Sequence, residues 1–234
     1  MMKQIKHILY FAVLVMATSC EIDNYDQPNA ELYGTFIDEG TNEPLAQDII
    51  NGTVIELIEQ GWVEDQTNVT QTLVSKGDGT YQNSQIFSGE YLVRAVRGNF
   101  HDIPPIESME IKGRTELNFL VTPYLRIIDP VIERVGSTVT ATFRIEQTST
   151  QEVSRIGLYV HPNPNVGNPM TLTSRVESNI NRLTDPSETF SLSIDLDANS
   201  STLLQGNPYY FRIGAVSSAG SAKYNYGPAV RFTI

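Results

Sequence analysis

From residue 30 onward, apolar and polar residues alternate in short runs, and no long stretch carries the 3.6-residue period of an amphipathic helix. The runs are rich in Val, Ile, Tyr, Phe and Thr and are divided by clusters of Gly, Asn, Asp and Pro, the pattern of antiparallel β-sandwiches. AELYGTFID, from residue 30, predicts a first strand, and EGTNEPL supplies a turn. GTVIELIEQGW predicts a second strand. VTQTLVSKGDGTYQNSQIF reads as strand, tight turn at Gly77-Asp78-Gly79, and strand, with the Asp-Gly pair expected to take the positive φ angles of such a turn. SGEYLVRAVRGNF and IPPIESMEIKGRTELNFLV complete this unit.

VTPYLRI marks a seam, because Pro123 interrupts the ladder and a new series begins at Leu125. Its strands are predicted in TVTATFRIEQ, VSRIGLYVHP, ETFSLSIDLD, NPYYFRIGAVSSAG and PAVRFTI.

The order of the first unit resembles the transthyretin-like, or carboxypeptidase-regulatory, β-sandwich family. The matching stretches are Gly34, Glu43-Pro44-Leu45, Val54-Ile55-Glu56-Leu57, Asp78-Gly79-Thr80-Tyr81 and Gly89-Glu90-Tyr91-Leu92-Val93, with Glu43 where the family turn carries Gly. That resemblance implies a stalk, spacer or adhesive support without catalysis. The ending, LLQGNPYYFRIGAVSSAG followed by YGPAVRFTI, resembles the last two strands of fibronectin type III-like domains. Leu204 and Tyr210 fit its Leu-to-Tyr spacing, which implies that the Tyr210 hydroxyl bonds back to nearby backbone at a sandwich corner.

The N-terminus supplies an address. Lys3 and Lys6 precede an apolar run over residues 8–17, too short for the ~20 residues of a spanning helix and flanked as in a secretory signal peptide. Ala17, Thr18 and Ser19 lead into Cys20, the sole cysteine. This resembles a bacterial lipobox, with Ala17 where Leu is usual, and implies that Cys20 becomes the lipidated N-terminus. A lone cysteine has no disulfide partner within the chain, and acyl chains at ~0.8 kcal/mol per buried methylene would hold it on a bilayer. CEIDNYDQPNAE, rich in acid, is similar to the export signal of surface lipoproteins and also has the composition of a solvated tether. The expected organisation is therefore all-β: two tandem antiparallel β-sandwich domains, residues 31–122 and 123–234, after a lipoprotein signal peptide (1–19) and a short acidic tether (20–30).

Charge narrows the partners. The whole chain carries a formal −11. Loss of Lys3 and Lys6 with the leader leaves 14 basic against 27 acidic side chains, about −13. No basic track for nucleic acid is visible.

Catalytic and metal chemistry is not expected. His7 leaves with the leader, and His101 and His161 stand without the paired spacing of a zinc site. Nucleophile-elbow, zincin, phosphate-loop and dinucleotide motifs are absent from the sequence. DLDAN, residues 195–199, alternates acids but lacks the Gly and final Glu of an EF-hand loop, and reads as a solvated strand end. No cofactor is expected. For a sugar, the first candidate contact is Trp62, set among Gln60, Glu64 and Asp65, although sandwich cores and edges also hold single tryptophans. Tyr124, Tyr159 and the pair Tyr224/Tyr226 in SAKYNYGP follow, the pair on what reads as an exposed hairpin tip.

Lipobox and two scaffold modules together resemble a family of uncharacterised lipoproteins from glycan-utilisation loci, through CEIDNYDQPNAELYGTFID and LIEQGW above all. That resemblance implies a genetic setting beside an outer-membrane porin and its partner lipoprotein but assigns no activity. With the export address and two scaffold-type sandwiches lacking catalytic motifs, the expectation is a non-enzymatic, lipid-anchored accessory of glycan capture at the outer-membrane surface, contacting oligosaccharide weakly or bracing the porin complex. The alternative is a structural or adhesive lipoprotein whose partner is another protein.

Overall fold

The alternation of AELYGTFID becomes β1 (Ala30–Asp38), with Ala30, Leu32 and Phe36 buried and Glu31, Tyr33 and Thr35 half-exposed on the opposite face. The computed structural model describes residues 26–48, 50–61 and 70–234. Cys20, the leader, most of the acidic tether and Trp62 lie outside the described residues.

β1 pairs antiparallel with β2 (Glu43–Pro44) and β5 (Thr80–Ile86), and parallel with β8 (Arg114–Glu116) and β9 (Phe119–Val121). The parallel pairs depart from a purely antiparallel sheet. The chain reaches them only after completing the facing sheet, the kind of long crossover that parallel strands require. That facing sheet runs β4 (Thr70–Val74), β3 (Val54–Glu59), β6 (Gly89–Val96), β7 (Ile106–Ile111). Between them lies a core of Leu32, Phe36, Ile55, Leu57, Tyr81, Tyr91, Val93 and Ile111. Phe36 is its hub, with the rings of Phe119, Phe100 and Tyr81 at 5.0, 5.3 and 5.8 Å. Gly34 is required where the chain crosses from β8 to β9, since a Cβ there would stand 1.7 Å from the Leu117 carbonyl oxygen.

The turn at residues 77–79 differs from the hairpin geometry expected of Asp-Gly. Only Gly79 takes a positive φ, +85°, while the Asp78 carboxylate accepts the Thr80 N–H at 2.9 Å. The reason is topological: β4 and β5 belong to different sheets, so this turn carries the chain across the sandwich.

The second sandwich packs a three-stranded sheet, β10 (Leu125–Val135), β11 (Thr138–Gln147), β14 (Phe190–Asp195), on a four-stranded one, β13 (Val176–Arg182), β12 (Val153–His161), β15 (Pro208–Ser217), β16 (Asn225–Thr233). All its pairs are antiparallel. Val139, Ala141, Phe143 and Ile145 from β11 meet Leu158, Val160, Phe211 and Ile213 from the other layer. β13 was not foreseen: VESNINR is polar, and it forms a partly exposed edge strand paired with β12.

One expectation is corrected by a single residue. The hydroxyl that bonds back to the chain belongs to Tyr209, not Tyr210: it accepts the Leu204 N–H at 2.9 Å and donates to the Thr202 carbonyl at 3.3 Å. Leu203, 1% exposed, is the buried leucine of the corner, and Leu204 points to solvent. Tyr209 shares the inward face of β15 with Phe211, Ile213 and Ala215. Tyr210 takes the other face and packs against a small cluster of Tyr159, Val166 and Tyr226.

Candidate functional site: the seam between the sandwiches

Only residues 122–124 separate β9 from β10, and side chains from both sandwiches close over this joint. Asn99, fully buried, donates through Nδ2 to the Ala46 carbonyl at 2.9 Å in its own domain and to the Tyr224 carbonyl at 3.1 Å in the other. Asn225 returns the contact, its Nδ2 donating to the Asn99 carbonyl at 3.0 Å. His101 and Thr148 add a hydrogen bond of 2.9 Å.

Two charged clusters flank these amides. Arg126 holds Asp38 bidentately and reaches Glu146 through Nη1 at 2.8 Å. Burial alone would push the Asp38 carboxyl up, but the bonds from Arg126 and from the Gly40 N–H outweigh it and hold it below the ordinary range. Gly40 lies beneath the guanidinium, where a Cβ would come within 2.4 Å of Nη2.

Deeper in the seam, Asp48 accepts the Tyr226 hydroxyl through Oδ1 at 2.5 Å. The Arg212 guanidinium lies 4.3 Å from the centroid of the Tyr226 ring and donates to the carbonyls of Gly227 and Val166 at 3.0 and 3.2 Å. Burial pushes Asp48 up against the opposing pulls of Tyr226, Arg212 and Lys223, and it pushes Arg212 down. For both charges the loss of water therefore exceeds the attraction of the partner.

The candidate aromatics fall into this seam. Tyr226 is 8% exposed, and Tyr224 stacks on it at 6.0 Å and meets Tyr159 edge-on at 5.8 Å. The pair is thus joint packing and not an exposed hairpin tip, because the start of β16 folds down onto the first sandwich. Tyr159 is fully buried and donates to Glu177 at 3.0 Å; Tyr124 is half-buried against His101. Asp195 of DLDAN accepts the Ala198 N–H at 3.0 Å as a turn cap. Among the described residues, no group of three or more His, Cys, Asp or Glu is placed to hold a metal ion, and no helix is long and apolar enough to cross a membrane.

Above the buried joint the two sandwiches leave a groove of about 620 Å³, within the ~300–1,000 Å³ of small-ligand clefts. Its walls include Glu43, Pro44, Arg126, Pro130, Asn165 and Pro228. A second hollow of about 430 Å³, bounded by Ser75 and Lys76, shares Gly77, Asp78 and Asn165 with it. The sequence alone marks none of these residues as a ligand contact: Glu43-Pro44 and Gly77-Asp78 enter it only as turns. It also passed over Tyr33, an aromatic on the outward phase of β1, covered by the Arg114 guanidinium at 4.3 Å.

Comparison with known families accounts for both halves of the molecule. Residues 30–122 match the model described as "Protein of unknown function (DUF3823) N-terminal domain", and residues 125–231 match its C-terminal counterpart, "Domain of unknown function (DUF3823_C)". The chain belongs to the DUF3823 family. Among solved structures, a "putative carbohydrate binding protein" from Bacteroides uniformis is similar at 29% identity with a TM-score of 0.81, the match covering 88% of this chain and 100% of that one. DUF3823 proteins from Parabacteroides merdae (22% identity, TM-score 0.74, 89% and 100% covered) and Bacteroides uniformis (20%, 0.72, 88% and 100%) share the fold. No curated protein matches the chain.

Proposed function

We propose that this DUF3823 protein is a non-catalytic, lipid-anchored accessory of glycan capture, exposed at the outer-membrane surface through Cys20. The observation that carries the proposal is its similarity, along the whole length of that protein, to the Bacteroides uniformis "putative carbohydrate binding protein". The lipobox ending in Cys20 and the acidic stretch after it support the address. The lack of catalysis is supported by the seam itself: its buried charges, Asp38, Asp48 and Arg212, are each engaged in bonds that hold the fold. A short joint stapled by hydrogen bonds makes the two sandwiches a stiff platform, suited to presenting a ligand or bracing a porin and its partner lipoprotein.

Affinity electrophoresis of the full-length protein in detergent, through gels cast with neutral polysaccharides, tests the reading. Retardation by at least one polysaccharide is expected; unchanged mobility in every gel contradicts it. Recovery of a porin from detergent-solubilised membranes would support bracing, whereas recovery of a pilus or matrix component would favour adhesion.

A further inference from the structure

We infer that the groove over the seam is the oligosaccharide site, with Asn165 as its central contact; this rests on the glycan-capture reading above. Asn165 is exposed and borders both hollows, so a ligand running from one to the other must pass it. Its backbone is fixed from three directions. Its N–H donates to Asn163 Oδ1 at 2.9 Å, the Asn163 N–H donates to His161 Nδ1 at 3.0 Å, and the next carbonyl, of Val166, is held by Arg212. Burial lowers the His161 pKa and so favours the neutral ring, and the Asn163 N–H donated to Nδ1 selects the tautomer that carries its proton on Nε2. The Asn165 side-chain amide itself makes no hydrogen bond among the described residues, and it offers a donor and an acceptor to hydroxyl groups.

Charge in the groove selects the ligand. Arg126 is spent on Asp38 and Glu146, and Arg212 on carbonyls and the Tyr226 ring, so neither guanidinium is available to an anion. Glu43 and the Oδ2 of Asp78, whose Oδ1 is taken by Thr80, remain on the walls as acceptors, and among the described residues that line the two hollows Lys76 is the one further cation. Carboxylate acceptors, an amide and the aliphatic faces of Pro44, Pro130 and Pro228 complement a neutral chain of hydroxyls and C–H faces. They repel phosphate, sulfate and uronate groups.

Titration calorimetry of the full-length protein tests this with neutral hexasaccharides of glucose, mannose, galactose and xylose, and with a hexauronate as the anionic probe. A neutral hexasaccharide is expected to bind. Asn165→Trp, an exposed change that fills the groove, should weaken it at least about tenfold, and Asn165→Ala by a few-fold. Tyr33→Ala should leave it unchanged, and the hexauronate should give no heat. Equal binding by wild type and Asn165→Trp, loss of binding in Tyr33→Ala alone, or preference for the hexauronate would each overturn the site while leaving glycan capture standing. Silence of the wild type towards every neutral hexasaccharide would remove both.

Discussion

Arg126 grips Asp38 across the seam through two parallel hydrogen bonds, Nε to Oδ2 at 2.6 Å and Nη2 to Oδ1 at 2.7 Å. Both side chains are nearly buried, at 14% and 7% exposure, and the guanidinium fork matches the carboxylate edge in a way an ammonium cannot.

Removing one partner leaves the other charge stranded in a poorly solvated joint. Arg126→Ala is expected to destabilise the protein by about 3 kcal/mol in denaturant unfolding. Asp38→Ala should cost a similar amount, and the double variant clearly less than the two together. Strict additivity would show that the pair is not coupled.

The Asp48 carboxyl responds to pH in a direction that geometry fixes. Its folded pKa lies above the ordinary 3.8 because burial outweighs Tyr226, Arg212 and Lys223. As pH rises past that ordinary value, the unfolded chain ionises first, so this group lowers stability until its folded pKa is passed and contributes a constant loss above it. Asp48→Asn removes the titration while an amide oxygen still accepts the Tyr226 hydroxyl. The stability of the variant minus that of the wild type should therefore increase as pH rises from below 3.8, then level off. A difference that falls over the same window would mean that Arg212 dominates and the account of the seam is wrong.

The tyrosine corner separates two adjacent residues. Tyr209→Phe deletes a hydroxyl bonded to Leu204 and Thr202 and is expected to cost ~1–2 kcal/mol. Tyr210→Phe is expected to change stability by less than ~0.5 kcal/mol. Equal effects from the two would contradict the assigned register.

These residues also show where sequence carries structure and where it stops. The bounds of β1 and β11 follow from alternation, because each strand has one buried and one half-exposed face, and a period of two leaves little freedom in phase. The same phase, through Phe211, Ile213 and Ala215, points Tyr209 inward; a motif spacing of six applied from Leu204 instead of Leu203 selected its neighbour. β13 carries no such pattern, since an edge strand exposing polar side chains gains its place from pairing with β12. The seam was hidden for another reason. Tyr226 and Asp48 stand 178 residues apart, and Asn99 and Asn225 126, so no local spacing links them. Arg212 did leave a trace: an arginine interrupting the apolar run YYFRIGAV signals a buried charge in need of partners. Asn165 and the groove follow from how two sandwiches meet, which neither domain's pattern encodes.

The functional reading stands on attachment to the membrane at Cys20, and intact mass of the mature protein extracted from its native membrane measures this most directly. The account predicts an N-terminal Cys20 carrying diacylglycerol on sulfur, with residues 1–19 removed, and conversion to an unlipidated precursor in Cys20→Ser. A mature N-terminus at another residue, or a free thiol at Cys20, would contradict it.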